Sequence, residues 1–82
     1  MSNKLTARKW ARQDGKSGKG SNFFFEGASL FSYGYHFKVA QIIDGKAHFN
    51  PAKYSKSTSR HQSLARQAAW EAGLEIVENS TI

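Results

Sequence analysis

The chain has 82 residues, no cysteine and a formal net charge of +6. This length fits one domain with a small core, and the lack of cysteine excludes disulfides and thiolate metal sites. Stability must come from packing of six Phe, three Tyr and two Trp, and a symmetric homodimer would bury more surface. No apolar run approaches the roughly 20 residues of a membrane-spanning helix, and no apolar segment follows the basic N-terminus as in signal peptides. We therefore expect no membrane partner and a cytoplasmic location.

The positive charge is concentrated at the N-terminal end. Of the twelve Lys and Arg residues, six lie in residues 1–21 against a single acid. We interpret 1–21 as a basic N-terminal arm and Gly/Ser linker and 22–82 as an α+β core domain. Such an arm suits nucleic acid, because each neutralised phosphate releases counterions; an acidic protein surface or plain solubility is the alternative. Its cations are Lys4, Arg8, Lys9, Arg12, Lys16 and Lys19.

Residues 3–13 predict a short amphipathic helix. Basic residues at a spacing of four would line one face, opposite a narrow apolar strip: Lys4, Arg8 and Arg12 against Ala7, Trp10 and Ala11. Isolated helices below about 12–15 residues are marginal in water, so this one should form when Trp10 docks on the body or a partner binds.

Residues 14–22 are rich in Gly and Ser and predict a flexible linker. Gly15-Lys16-Ser17 resembles the end of a phosphate-binding P-loop, but Trp10 stands where that motif requires its first Gly. No strand is expected before it, so we predict neither a nucleotide site nor any other cofactor.

Aromatic and β-branched residues from 23 to 49 predict strands. The first is Phe23–Glu26, and alternating apolar residues from Phe31 to Val39 predict one kinked strand or two strands broken near Gly34. Aromatic and basic residues interleave across Tyr33–Lys38 and could stack bases, although no more than one or two of these rings should be exposed.

Asp44-Gly45 between apolar flanks predicts a type I′ hairpin. The turn pairs Ile42 with Ala47 and Ala40 with Phe49 on one face. Gln41 then lies opposite His48 and Val39 opposite Asn50 on the other. Because the preceding strand places odd-numbered residues inward, the apolar face must switch near Lys38–Ala40.

Residues 58–73 predict the main helix, with Ser59 and Gln62 as a capping box, Thr58 as the competing N-cap and Gly73 after the last turn. Leu74–Val77 predict a final edge strand or an extended tail. The fold class is therefore α+β: a small antiparallel sheet of three to four strands packed against a C-terminal helix, with a short basic N-terminal helix or arm.

The start of this helix is a second candidate for phosphate contacts. Hydroxyl and basic side chains there would surround free backbone N–H groups and a positive helix dipole, although ordinary capping explains the hydroxyls equally well. The candidate residues are Tyr54, Lys56, Arg60, His61 and Gln62.

The histidines carry no sign of catalysis or metal binding. His36, His48 and His61 have no zinc-ligand spacing, and nothing resembles a nucleophile elbow around a serine. We expect no metal site and no enzyme activity.

Two segments carry a resemblance. They are Phe31-Ser32-Tyr33-Gly34-x-His36-Phe37-x-x-Ala40 and, after Asn50, Tyr54-Ser55-x-Ser57-Thr58-x-x-His61-Gln62. The chain resembles a family of small uncharacterised bacteriophage proteins with these segments, except that Ser57 stands where a Thr is expected. The resemblance spans about residues 22–72, and it implies a phage origin and a host-cytoplasm setting but no chemistry.

The expected function is that of a non-enzymatic phage accessory protein that binds DNA or RNA mainly through phosphates. The alternative is a small inhibitor that docks on a host protein such as a nuclease, polymerase or defence effector, where a basic arm would match an acidic surface.

Overall fold

A computed structural model describes residues 2–51, 56–80 and 82, apart from the side chains of His36 and residues 56–58. Within these ranges the chain forms two α-helices, six strands and one 3-10 turn. The elements in chain order are α1 (Asn3–Arg12), β1 (Ser17–Lys19), β2 (Phe23–Glu26), β3 (Ser29–Ser32), the 3-10 turn (Gly34–His36), β4 (Phe37–Ile43), β5 (Lys46–Phe49), α2 (Lys56–Glu71) and β6 (Glu75–Val77).

The six strands form one sheet whose spatial order is the same as their order in the chain. Neighbours are antiparallel from β1 to β5, whereas β6 runs parallel to β5 after the crossover through α2. The α+β class is confirmed. The expected three to four strands are too few, because β1 and β6 extend the sheet at its edges, and the sheet is mixed rather than antiparallel.

The helix α1 is part of the core. Ala7, Trp10 and Ala11 are 1%, 0% and 4% exposed, and they join the same apolar cluster as the sheet and α2. The Trp10 indole Nε1 donates to the Ala28 carbonyl at 2.8 Å. The side chain of Asn3 exchanges hydrogen bonds with the backbone of Ser21 at 3.2 and 2.7 Å. The helix α1 is therefore packed on the body of the protein and does not hang from it as a free arm.

Residues 17–19, predicted to be part of a linker, instead form β1. Gly18 lies opposite the fully buried Phe25. A Cβ atom on Gly18 would meet a ring carbon of Phe25 at 2.6 Å, so the missing side chain makes room for that ring. Local propensity favours a loop here, and pairing with β2 overrides it.

The hairpin of β4 and β5 has the predicted register. Ile42 pairs with Ala47, Gln41 with His48 and Ala40 with Phe49. The two turn residues, Asp44 and Gly45, have φ values of 52° and 76°, as a type I′ turn requires.

The predicted change of apolar face in β4 occurs at a β-bulge. Leu30 pairs with Ala40 and Phe31 with Lys38, which leaves Val39 as the extra residue on β4. A bulge of this kind shifts the alternation by one residue. Before the bulge Phe37 is buried, and beyond it the even-numbered Ala40 is buried.

The prediction for α2 is right about its existence and C-terminus and wrong about its start. The helix begins at Lys56, so Thr58 and Ser59 lie within it and neither is the N-cap. At the other end Gly73 has φ 80°. Its N–H bonds the Trp70 carbonyl and the N–H of Leu74 bonds the Ala69 carbonyl, both at 3.0 Å, which is a Schellman cap.

Candidate nucleic-acid interface

The exposed side of α1 carries four of the predicted phosphate contacts. Lys4, Arg8 and Arg12 are exposed and Lys9 is half-buried, because the opposite side of the helix packs into the core. Among the described residues, none of these cations forms an ion pair; the ion pairs found there are Lys46–Glu75 and Arg66–Glu78. The predicted arrangement of a basic face opposite an apolar strip is confirmed.

The basic face continues toward α2. Lys4 and Arg8 line a shallow groove together with Leu64, Gln67 and the acidic Glu71 of α2. Leu64 also borders a second groove of about 250 Å³, where it meets Arg60 and Asn3. The structure therefore brings Arg60 to the same helical layer as the cations of α1.

The remaining predicted cations lie elsewhere. Lys16 and Lys19 are both exposed, Lys16 just before β1 and Lys19 at its end. Lys19 pairs with Phe24 on the neighbouring strand, and it therefore shares the sheet face on which Phe24 lies. Tyr54 and the side chain of Lys56 lie outside the described residues, so their predicted role stays a prediction.

His61 and Gln62 face inward, contrary to what a contact residue needs. They are 5% and 6% exposed. The Gln62 amide Nε2 donates to the Asn50 carbonyl at 3.2 Å. Both residues tie α2 to the sheet, and we remove them from the set of phosphate contacts.

His61 lies at the junction of the sheet and both helices. Its Nδ1 is 2.7 Å from the Ser32 hydroxyl and its Nε2 is 3.5 Å from the Asn3 amide nitrogen. Its ring stacks on the Phe23 ring, with 4.5 Å between the two ring centroids. Burial lowers the pKa of His61 below its ordinary value, because the surroundings solvate the imidazolium poorly. Although Ser32 and His61 are hydrogen-bonded, Ser32 is 0% exposed, and a substrate cannot reach its hydroxyl.

A second surface lies on the sheet face opposite the helices. Phe24, Phe31 and Tyr35 form a ring cluster there with centroid separations of 5.1 to 5.2 Å. Tyr35 is 65% exposed and its hydroxyl donates to the Glu26 carboxylate. That hydrogen bond, with partial desolvation of the hydroxyl and the nearby negative charge, raises the pKa of Tyr35.

The sequence predicted the exposed rings near Tyr35 but not the other two members of this cluster. Within Tyr33–Lys38, Tyr33 is 37% exposed and Tyr35 is 65% exposed, whereas Phe37 is buried. This confirms the prediction that no more than one or two of these rings are exposed. The sequence did not mark Phe24 and Phe31, because their meeting depends on the β2–β3 register.

A third exposed ring lies on the helical layer. Trp70 of α2 is 73% exposed. None of the helices in the described part of the chain is long and apolar enough to cross a membrane. Within the same residues no group of three or more His, Cys, Asp or Glu could hold a metal ion.

The comparisons with known proteins add no identification. No protein-family model, curated protein or solved structure matches this chain.

Proposed function

We propose that this protein is a non-enzymatic phage accessory protein that binds nucleic acid mainly through phosphates. The observation that carries the proposal is the exposed face of α1, whose cations form no ion pair among the described residues. Glu71 and Asp14 border the neighbouring grooves and reduce the local positive charge without pairing with these cations. A fixed row of unpaired charges favours a polyanion, because counterions condensed on the polyanion are released on binding.

The helix is well suited to this role because it is rigid. Lys4, Arg8 and Arg12 recur every four residues, so successive cations are about 6 Å apart along the axis. The buried Trp10 holds the helix on the body. Binding therefore does not have to order the segment, and little conformational entropy opposes it. Arg60 extends the charged surface onto α2.

The test is the dependence of affinity on salt. Labelled 20-nucleotide single strands and duplexes of DNA and RNA are titrated by fluorescence anisotropy at several salt concentrations. For duplex DNA, a variant with Lys4→Gln, Arg8→Gln and Arg12→Gln should bind more weakly, with a log–log salt slope smaller by about 2 to 3, since each phosphate contact contributes about 0.9.

Lys46→Gln is the control, because Lys46 lies on β5, away from α1, and forms an ion pair with Glu75 of β6. It should leave the slope unchanged. The proposal fails if the wild type binds none of these polynucleotides at low salt, or if the triple variant keeps the wild-type slope.

A second candidate function is docking on a host protein, and exposed Trp70 favours it. Trp is enriched among residues that dominate protein interfaces, and a Trp that is 73% exposed has no packing role to explain it. This candidate predicts a discrete host partner whose capture survives nuclease treatment and the triple α1 variant but is lost with Trp70→Ala. Capture that disappears on nuclease treatment would contradict it.

A further inference from the structure

The open face of the sheet carries a row of alternating chemistry across four strands. Lys19 pairs with Phe24, Phe24 with Phe31, and Phe31 with Lys38. Directly paired residues point to the same face. The row therefore runs lysine, ring, ring, lysine from β1 to β4, and with strands about 4.8 Å apart its ends are about 14 Å apart.

A third ring is brought onto this row by an unusual backbone. Tyr33 and Gly34 have φ values of 58° and 78°, and left-handed geometry is strained for a tyrosine, which has a Cβ atom. These residues lead into the 3-10 turn that carries Tyr35. The centroid of the Tyr35 ring lies 5.1 Å from the ring centroids of both Phe24 and Phe31. The strain is thus associated with an aromatic ring held above the sheet and mostly open to solvent.

The next row of the same face is entirely polar. Ser17 pairs with Glu26, Glu26 with Ser29, and Ser29 with Gln41. Hydroxyl, carboxylate and amide groups at these positions provide donors and acceptors beside the rings. A cleft of about 400 Å³ lies where the two rows meet, lined by residues that include Lys19, Phe24, Glu26 and Tyr35.

We propose that this face binds unpaired bases, so that the protein's nucleic-acid ligand is single-stranded. One or two bases stack on the exposed ring of Tyr35 and the accessible part of Phe24. The neighbouring phosphates lie near Lys19 and Lys38. This inference rests on the proposed function but uses a different surface from α1.

The chemistry of the face fits a base better than an apolar partner. Every base offers a flat face for stacking and polar edges for hydrogen bonds, and the two rows provide a match for each. The lysines at both ends of the ring row match the negative charge of the backbone on either side of a base. An apolar protein surface would strip water from Lys19, Lys38 and Glu26. The hydrogen bonds from Lys38 to Gln41 and from Tyr35 to Glu26 would replace that hydration only in part, so the burial is costly.

The test compares two strands of equal length and charge. One is a 12-nucleotide DNA with natural bases, and the other is the same backbone without bases. Binding of the abasic strand reports phosphate contacts alone, whereas the ratio of the two affinities reports stacking. The wild type should bind the base-bearing strand about 5- to 100-fold more tightly.

Variants locate the effect on this face. Tyr35→Ala should remove about 5-fold or more of the preference and leave abasic binding unchanged. Tyr35→Phe keeps the ring and should keep the preference, although it removes the hydrogen bond to Glu26. Trp70→Ala removes a ring of similar exposure from the helical layer and should have no effect on this preference.

The two strands distinguish failure of base stacking from failure of phosphate binding. Equal binding of both strands overturns base stacking and leaves phosphate binding by α1 in place. Binding of the base-bearing strand alone supports stacking and overturns the phosphate-dominated function. Binding of neither strand overturns both. A preference that survives Tyr35→Ala but is lost with Trp70→Ala overturns the assignment to the sheet.

Discussion

Replacing Trp10 by Ala should destabilise the whole protein, and this distinguishes an integrated helix from a detachable arm. The indole is 0% exposed and meets the Phe49 ring edge-on at 6.4 Å. Truncation of a buried Trp to Ala typically costs about 3–5 kcal/mol in the free energy of unfolding. A domain of this size has about 4–12 kcal/mol in total, so the variant should lose a large share of it.

The measurement is urea unfolding followed by far-UV circular dichroism. With an m-value of about 1 kcal/mol/M for a small domain, the midpoint should fall by about 3 M or the variant should be unfolded without urea. Trp10→Phe keeps a buried ring but loses the hydrogen bond to Ala28. It should lose about 1–2 kcal/mol.

Leu5→Ala provides the matched control on the same helix. Leu5 is 44% exposed, so its truncation should change the free energy of unfolding by no more than about 0.5 kcal/mol. A Trp10→Ala variant with the wild-type midpoint would show that α1 is dispensable to the core, and the packing argument would be refuted.

Three further substitutions test the site and the sheet. The lowered pKa of His61 means that the unfolded chain binds a proton at higher pH than the folded protein does. The contribution of His61 to the free energy of unfolding should therefore be fully present above about pH 6.5 and be lost as the pH falls through the folded pKa. Urea midpoints from pH 7.5 to 5 should show a smaller fall in His61→Asn, and an equal fall in both proteins would contradict this. Gly45→Ala, at φ 76°, should cost about 1 kcal/mol in thermal or urea unfolding, and no loss would argue against the type I′ turn. Gly18→Ala should cost about 1–3 kcal/mol, because its new Cβ would meet the Phe25 ring at 2.6 Å; an unchanged midpoint would mean that β1 is not part of the sheet.

The parts predicted correctly are those in which local chemistry and tertiary contacts agree. Asp44-Gly45 is a strong turn signal, and the register of the whole β4–β5 hairpin follows from it. The apolar strip on α1 likewise needs only helical periodicity. Gly73 ends α2 because the left-handed position there favours a residue without a side chain.

The parts that were missed depend on partners distant in the chain. Ser17–Lys19 has little strand propensity and becomes β1 by pairing with Phe24–Glu26. The parallel direction of β6 is set by the path of α2. His61 looked available because it sits in a polar segment, yet stacking on Phe23 buries it. The aromatic row on the open face exists only once three strand registers are known.

The agreement between chain order and sheet order has a consequence for how fast the protein folds. Each antiparallel strand from β2 to β5 needs only its predecessor as a template, so loop closure is short for most of the sheet. Such local pairing keeps the contact order low within β2 to β5, which favours fast formation of that part of the sheet. The docking of α1 against α2 joins segments more than 40 residues apart. That step should come late in folding. In a mutational analysis of folding rates, substitution of Trp10 should therefore mainly speed unfolding, whereas substitutions around the Asp44-Gly45 turn should mainly slow folding.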